Sequence, residues 1–306
     1  MTGRSQATTG ATPTVADLLA EASVLSGEEA SREAEVLLCA ALAKPRSYLY
    51  AWSEAAVEAE VAERYRHWLE QRSRGVPVAY LLGQREFWSL ALAVNSSTLI
   101  PRADTELLVE LALASGPAQK PFKVADLGTG SGAVALAIAS ERPGWSVVAV
   151  ELCDSALALA ERNRKELALE NATMLSGSWY EPLGEHRFDL IVSNPPYLAS
   201  NDPHLEEGDL PFEPLGALVA GPDGLECLEQ LVAEAPEHLL PRGRLMLEHG
   251  ASQGEAVRSL LRNHGFEEVQ SYKDIAKHER VTVGIWLTAT APPTAGDGSS
   301  VNDHAE

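Results

Sequence analysis

The spacing of apolar positions changes twice along this chain, and each change marks a boundary. From Val15 to about Leu42, apolar residues recur at helical spacing, as at Leu18-Leu19, Val24-Leu25, Ala34, Val36-Leu37-Leu38 and Leu42. The pattern repeats from Ser53 to Leu69 after Lys44-Pro45 and a Tyr-rich connection. Such stripes predict a small domain of two to four helices that pack through their apolar faces. At Gly75 the helical period breaks, and Glu86 to Asn95 alternates imperfectly, which predicts a hairpin or edge strand. A helix follows from Ile100-Pro101-Arg102 through Leu107 and beyond, with Asp104 or Thr105 as its cap.

Beyond the turn-rich stretch Ala114 to Pro121, short β-branched runs alternate with helical patterns. Strands are predicted at 122–127, 146–150, 174–175, 188–192, 244–248, 267–272 and 280–287. Helices are predicted at 133–139, 155–167, 225–239 and 253–264. Repeated strand-helix units of this kind specify the α/β class with a mostly parallel, doubly wound sheet. The expected division is a loose tail at 1–13, a helical domain at 14–75, a hairpin linker at 76–100, an α/β domain at 101–288 and a second tail at 289–306.

The 306 residues, 45% hydrophobic and 22% charged, have the composition of a globular chain with room for two domains. No apolar run approaches a membrane span and the first residues have no hydrophobic signal core, so a cytoplasmic protein is expected. Cys39, Cys153 and Cys227 lie scattered in helical patterns and are expected as buried thiols, neither bridged nor bound to metal. His204, His249 and His278 have no metal-ligand spacing with them. The net charge of −20 argues against a grip on phosphate backbones and is better suited to a protein partner. Arg64, Arg66, Arg72 and Arg74 give the end of the helical domain a local basic face, read either as a solvated surface paired with Glu63 and Glu70 or as a docking surface.

Two stretches carry the candidate chemistry. Asp126-Leu127 leads from the first core strand into Gly128-Thr129-Gly130-Ser131-Gly132, where side chains are removed as a strand turns into a helix and a ligand nears main chain. With Ala133 as a small third position this satisfies a loose dinucleotide pattern, so NAD or FAD stays open. Glu151, directly after the second strand, can accept hydrogen bonds from both ribose hydroxyls of either NAD or S-adenosylmethionine. Asp126 favours the latter, since a carboxylate suits a methionine ammonium and not a nearby pyrophosphate. The second stretch is Val192-Ser193-Asn194-Pro195-Pro196-Tyr197. Two prolines end the strand 188–192 and bias Asn194 toward extended backbone, at the strand end where open α/β sheets bind ligands. Asn194 with neighbouring carbonyls can grip an NH2 group and aim its nitrogen at an electrophilic methyl, with Tyr197 as an aromatic wall.

With these stretches together, the chain resembles the class I S-adenosylmethionine-dependent methyltransferases. Within them it is similar to the family that methylates the glutamine side-chain amide (N5) in the Gly-Gly-Gln motif of bacterial peptide chain release factors. The resemblance runs from about Val76 to Trp286. It rests on A-Y-L-L-G-Q-R-E-F-W (79–88), L-I-P-R-A-D-T-E (99–106), A-D-L-G-T-G-S-G (125–132), V-S-N-P-P-Y (192–197), P-H-L-E-E-G-D-L-P-F-E-P (203–214), L-E-H-G (247–250) and E-R-V-T-V-G (279–284). It implies an N-terminal helical domain joined by a hairpin to the catalytic domain, the Gly-Gly-Gln loop entering between them; separately, a monomer is expected. Asn194, Pro195 and Tyr197 are then catalytic. Asp126, Gly128, Thr129, Gly130, Gly132, Glu151, Ser178, Trp179 and Asn194 hold the cofactor, and Asn194 to Tyr197 with Phe212, Glu213 and Pro214 meet the substrate. The chain departs from the family pattern at three places: Ala103-Asp104 in place of Pro-Glu, Glu151 in place of Asp, and Ser178 in place of an acid near the adenine amino group. Asn-Pro-Pro-Tyr is shared with adenine-N6 nucleic-acid methyltransferases and with glutamine methyltransferases acting on a ribosomal protein, which stand as alternatives. An NAD-linked oxidoreductase and a binding scaffold with a degenerate cofactor fold are further ones.

Overall fold

The computed structural model of the protein describes residues 12–287. The two expected tails lie outside the described residues, apart from Thr12 and Pro13. Five helices come first: α1 (Val15–Ala20), α2 (Ala30–Leu42), α3 (Arg46–Ala51), α4 (Ala59–Ser73) and α5 (Val78–Leu82). Thr14 opens α1 with a reciprocal cap, its hydroxyl accepting from the Asp17 amide while Asp17 accepts from the Thr14 amide. Leu18, Leu37, Leu38, Leu49, Tyr65 and Leu69 form the buried centre of this group. Val78, Leu81 and Leu82 pack against the same centre, so α5, which lies in the expected linker, belongs by its contacts to the helical cluster.

A hairpin of β1 (Gln84–Phe87) and β2 (Leu90–Ala93) follows. Its two turn residues, Trp88 and Ser89, have φ of 52° and 60°, the left-handed pair that a two-residue hairpin needs to match strand twist. Neither is a residue that favours this conformation, and outside contacts hold it. The Trp88 amide donates to Glu106 Oε1 at 3.1 Å and its indole to Glu141 Oε1 at 3.0 Å. Glu106 starts α6 (Glu106–Ser115).

The α/β part contains β3 (Lys123–Leu127), α7 (Ala133–Glu141), β4 (Ser146–Glu151), α8 (Asp154–Glu166), β5 (Ala172–Ser176) and β6 (Phe188–Ser193). It continues with α9 (Glu226–His238), β7 (Leu239–Glu248), α10 (Gly254–Asn263), β8 (Phe266–Lys273) and β9 (Glu279–Trp286). The strand order is β5-β4-β3-β6-β7-β9-β8, parallel from β5 to β7, with β9 antiparallel to both its neighbours. This is the class I S-adenosylmethionine-dependent methyltransferase fold. Alternate residues of the central strands feed opposite cores: Val124, Val147, Leu190 and Val192 pack with α6 and α7, while Leu127, Val150, Ile191 and Leu245 pack with α9 and α10. β7 begins five residues earlier than its apolar run suggests, because Leu239 already pairs with Phe188 while Pro241 and Gly243 hide that start in the sequence. The strand order reverses between β3 and β6, the switch point where such sheets take ligands. Among the described residues no helix is long and apolar enough to cross a membrane.

Candidate active site

The turn after β3 assigns a different task to each glycine. All three have positive φ, 74° at Gly128, 59° at Gly130 and 86° at Gly132. A Cβ on Gly128 would sit 3.1 Å from the Trp179 ring, and one on Gly132 would sit 2.9 Å from Leu136 at the start of α7. A Cβ on Gly130 would meet nothing within 4 Å: this glycine faces open space. Gly132 therefore serves helix packing, whereas Gly128, Thr129 and Gly130 line a cavity of about 440 Å³. Asp126 also lines it. Its Oδ2 accepts from the Thr129 hydroxyl at 2.6 Å and the Ala135 amide at 3.1 Å, so the carboxyl braces the turn as well as facing the cavity. Burial pushes Asp126 up to about 6, opposed by those two hydrogen bonds.

Glu151, at the end of β4, lies on the same wall. Its two oxygens accept separately, Oε2 from the Gly130 amide at 2.8 Å and Oε1 from the Cys153 amide at 2.9 Å. Each carboxylate oxygen has a further lone pair, so the group is held in place and can still accept from a ligand diol. Ser178 and Trp179 complete this end, with Leu152, 70% exposed, at its rim. Cys153 corrects the expectation of buried thiols: it is exposed, lines the cavity and stands just before α8, while Cys39 and Cys227 are half-buried. One buried side chain ties this region to the hairpin. Asn163 accepts from the Ala93 amide at 2.8 Å and donates to the carbonyls of Ala93 and Ser131 at 3.0 and 2.8 Å.

Asn194 leaves β6 beside the glycine turn, since β6 pairs with β3 up to Val192 opposite Asp126 and the Ser193 hydroxyl donates to the Leu127 carbonyl at 2.6 Å. Its Nδ2 donates to Thr105 Oγ1 at 3.2 Å, while its Oδ1 is buried with no partner. Both residues line the cavity. Thr105 thus differs from its expected role: it occupies the cap position of α6 but makes no capping bond, its hydroxyl being engaged by Asn194. The signal was its place in the L-I-P-R-A-D-T-E stretch, where cap chemistry and site chemistry call for the same residue type.

The remaining expected site residues separate. Pro196 and Pro214 stand on the cavity wall. Pro195 is buried, and Tyr197 is half-buried with its amide donating to the Leu218 carbonyl at 3.2 Å, so neither side chain lines the cavity. Burial pushes the Tyr197 phenol up to about 12. Phe212 and Glu213 are expected at the substrate; Phe212 rests one ring edge on Gly75 while staying partly exposed, and Glu213 turns inward. The Phe212 ring lies so close over Gly75 that a Cβ there would be 2.5 Å away. Glu213 is buried, accepts from the Ile100 amide at 2.9 Å and pairs with Arg102, fixing the L-I-P-R segment against the cavity. The arginines of α4 are engaged internally: Arg66 with Glu21, Arg74 with Glu70, Arg64 with the Ala41 carbonyl, and Arg72 with both Glu33 and Asp209. Arg72 therefore joins the helical cluster to the segment that follows the Asn194–Tyr197 turn. Among the described residues no group of three or more His, Cys, Asp or Glu could hold a metal.

Two family models match this chain, the PrmC N-terminal domain over residues 14–83 and the methyltransferase small domain over residues 98–207. The release factor glutamine methyltransferase of Pseudomonas aeruginosa is 52% identical over 273 residues, covering 89% of this chain and 99% of that protein. Its namesake in Shewanella oneidensis is 46% identical over 262 residues, 86% of this chain and 91% of that one. That of Xylella fastidiosa is 51% identical over 252 residues, with 82% and 92% covered. Among solved structures, the hMettl16 catalytic domain in complex with MAT2A 3′UTR hairpin 1 superposes with a TM-score of 0.52 at 16% identity, over 77% of this chain and 86% of that one, a likeness of fold alone.

Proposed function

The chain belongs to the release factor glutamine methyltransferase family, and from that membership we propose that it transfers a methyl group from S-adenosylmethionine to the side-chain amide nitrogen of the glutamine in the Gly-Gly-Gln motif of bacterial peptide chain release factors. One observation carries the assignment to this site: the buried, unpartnered Oδ1 of Asn194 on the wall of the cavity that also holds the glycine turn. A buried acceptor without a donor is costly, and a substrate NH2 supplies the missing donor.

The residues present fit the cofactor. The open face of Gly130 admits a ligand against main chain, Glu151 is oriented by two amides with lone pairs to spare, and Asp126 offers a carboxyl for an ammonium. Ser178 and Trp179, on the same cavity wall, are assigned to the adenine end. When bound, S-adenosylmethionine supplies an electrophilic sulfonium methyl, whose C–S electron pair stays with sulfur as the new N–CH3 bond forms. The amide nitrogen of glutamine is a weak nucleophile because its lone pair is delocalised into the carbonyl. Asn194 Oδ1 and the Pro195 carbonyl accept its two N–H bonds, which orients the lone pair at the methyl and raises electron density on nitrogen. Alignment of this kind contributes up to about 7–11 kcal/mol to lowering a two-body barrier. The methylated nitrogen then loses one proton to solvent, so no strong base precedes attack.

The helical cluster, α5 included, with the β1–β2 hairpin is assigned to holding the protein substrate against this site. A net charge of −20 favours a protein over a nucleic acid offering a similar planar NH2. A monomer in the cytoplasm belongs to the same reading. Incubation with labelled S-adenosylmethionine and intact release factor, followed by peptide mass mapping, should add one methyl to the Gly-Gly-Gln glutamine. No labelled glutamine, or label on nucleic acid in its place, would overturn the assignment.

Replacing Glu151 with Ala should weaken S-adenosylhomocysteine binding by about 1.5–3 kcal/mol, the range for hydrogen bonds to a charged group. The Gly130 and Cys153 amides also lose their shared acceptor. Calorimetric titration of both proteins checks this, and equal affinities would remove Glu151 from the cofactor site.

A further inference from the structure

Glu248 is the last residue of β7, one position beyond the Ser193 to Leu247 pair, so it lies beside Asn194 at the carboxyl ends of adjacent parallel strands. It is 2% exposed, and its Oε2 has no partner. Asn194, through Nδ2, and Glu248 thus both neighbour the Thr105 hydroxyl, and each keeps one buried oxygen without a partner, Oδ1 and Oε2. A carboxyl is expensive to bury, and a structural role would normally give it a cation. Here the nearest candidate, Arg280 on β9, is committed elsewhere, to Asp104 at 3.3 Å and Asp274 at 3.1 Å.

We propose that Glu248 is a positioning residue that holds the Asn194 amide in its productive orientation through the Thr105 hydroxyl. This deepens the reading given under Proposed function and rests on it. A hydroxyl has one proton and two lone pairs. With Glu248 ionised, Thr105 donates that proton to the carboxylate and keeps its lone pairs for Asn194 Nδ2–H. The amide is then locked with Oδ1 toward the substrate, and the chained hydrogen bonds increase the negative charge on that oxygen. With Glu248 protonated, its own O–H competes as a donor. Thr105 is released from its fixed sense, and the amide can present Nδ2, which repels a substrate NH2.

The groups facing the carboxyl from each packed element are Thr105 and Asp104 on the turn before α6, Asn194 and Tyr197 after β6, and Arg280 on β9. His249, the next residue along, is engaged instead with Thr282 and the Gly250 carbonyl. Burial pushes Glu248 up to about 7, with Thr105, Arg280 and Asn194 opposing and Asp104 reinforcing. The sign follows: the ionised, productive form accumulates as pH rises through about 7, and the same buried charge costs stability there, because the unfolded carboxyl ionises at lower pH.

The test uses the full-length enzyme with saturating S-adenosylmethionine and intact release factor, and reads single-turnover glutamine methylation from pH 5.5 to 8.5 alongside thermal melting and S-adenosylhomocysteine titration. Saturation removes any contribution of Asp126 to cofactor affinity. The natural enzyme should speed up as pH rises through about 7. E248Q should lose that rise and run at least tenfold slower at pH 8, with unchanged S-adenosylhomocysteine affinity and a melting temperature equal to or above the natural one at pH 8. A merely structural glutamate predicts slower turnover with a lower melting temperature. T105V, which removes the relay while leaving Glu248 in place, should also flatten the profile, and the double variant should be no slower than the slower single. An E248Q or T105V enzyme that keeps the natural rate and pH rise overturns the inference, as does E248Q losing rate and melting temperature together at pH 8. If E248Q does not fold, T105V decides alone. A natural enzyme that leaves the glutamine unmethylated sinks the proposed function instead, which separates the two failures.

Discussion

Asn194→Ala is expected to methylate the Gly-Gly-Gln glutamine at least a hundredfold more slowly in single turnover, while keeping its fold and most of its cofactor affinity. The loss corresponds to about 2.7 kcal/mol or more of transition-state stabilisation, the range for removal of one preorganised polar partner of a reacting group. Retained folding follows from the structure. Asn194 donates one hydrogen bond, to Thr105, and its Oδ1 has no internal partner, so truncation removes little that the protein itself uses. The rigidity of the turn comes from other atoms: the Ser193 hydroxyl on the Leu127 carbonyl, the Tyr197 and Leu198 amides on the Leu218 carbonyl, and the two prolines. Asn194→Asp is the more demanding variant. It keeps an acceptor oxygen but loses the Nδ2 donor and puts a second carboxyl beside Glu248, so each opposes ionisation of the other. Its rate should fall between those of the Ala variant and the natural enzyme. A folded Ala variant with the natural single-turnover rate would mean that Asn194 is not the group that aims the glutamine.

Much of this arrangement was legible before any coordinates, because two of its parts are dictated locally. A glycine turn between a β-branched run and a helix, and a strand stopped by two prolines, have few other conformations open to them. Their meeting was legible only through topology: alternating strand-helix units put both turns at the carboxyl ends of neighbouring strands. What escaped the sequence depends on contacts between distant segments. Glu213 reads as a substrate contact until its oxygens are seen on Ile100 and Arg102, more than 100 positions away. Thr105 reads as a helix cap until its hydroxyl is seen accepting from Asn194 Nδ2, 89 positions away. Arg74 pairs with Glu70 as the sequence suggests, whereas the partners of Arg66 and Arg72 were hidden because Glu21 and Asp209 lie 45 and 137 positions away. The pairing Leu239 with Phe188 was hidden because Pro241 and Gly243 interrupt the apolar pattern that normally marks a strand.

One distant contact yields the second large expected effect, at a residue outside the cavity wall. Gly224 has a φ of 76°, and a Cβ there would lie 2.4 Å from the Tyr197 carbonyl oxygen and 3.0 Å from Gln253 Nε2. That carbonyl belongs to the Asn194–Tyr197 turn itself and accepts from Gln253 Nε2 at 3.0 Å, while Gln253 also donates to the Gly224 carbonyl at 3.2 Å. Alanine at 224 meets two separate costs. Left-handed backbone costs an ordinary residue about 1–2 kcal/mol, and a clash with fixed main chain costs about 1–3 kcal/mol more, since no side chain can swing aside. Gly83 provides the internal control: its φ is 69° and a Cβ would meet nothing within 4 Å, so Gly83→Ala should show the first cost alone. In denaturant titrations Gly224→Ala should therefore be destabilised by about 2–5 kcal/mol, exceeding Gly83→Ala by about 1–3 kcal/mol. The excess has a chemical counterpart. The clash pushes Tyr197 and the prolines before it away from α9, which carries the Asn194 amide out of line with the reacting methyl, so single-turnover methylation should fall at least tenfold in Gly224→Ala at temperatures where it remains folded. Cofactor affinity should hold, because the glycine turn and Glu151 hang on β3 and β4, on the other side of the switch point. Equal stability and equal rates for the two alanine variants would show that the Asn194–Tyr197 turn does not depend on the space Gly224 leaves open.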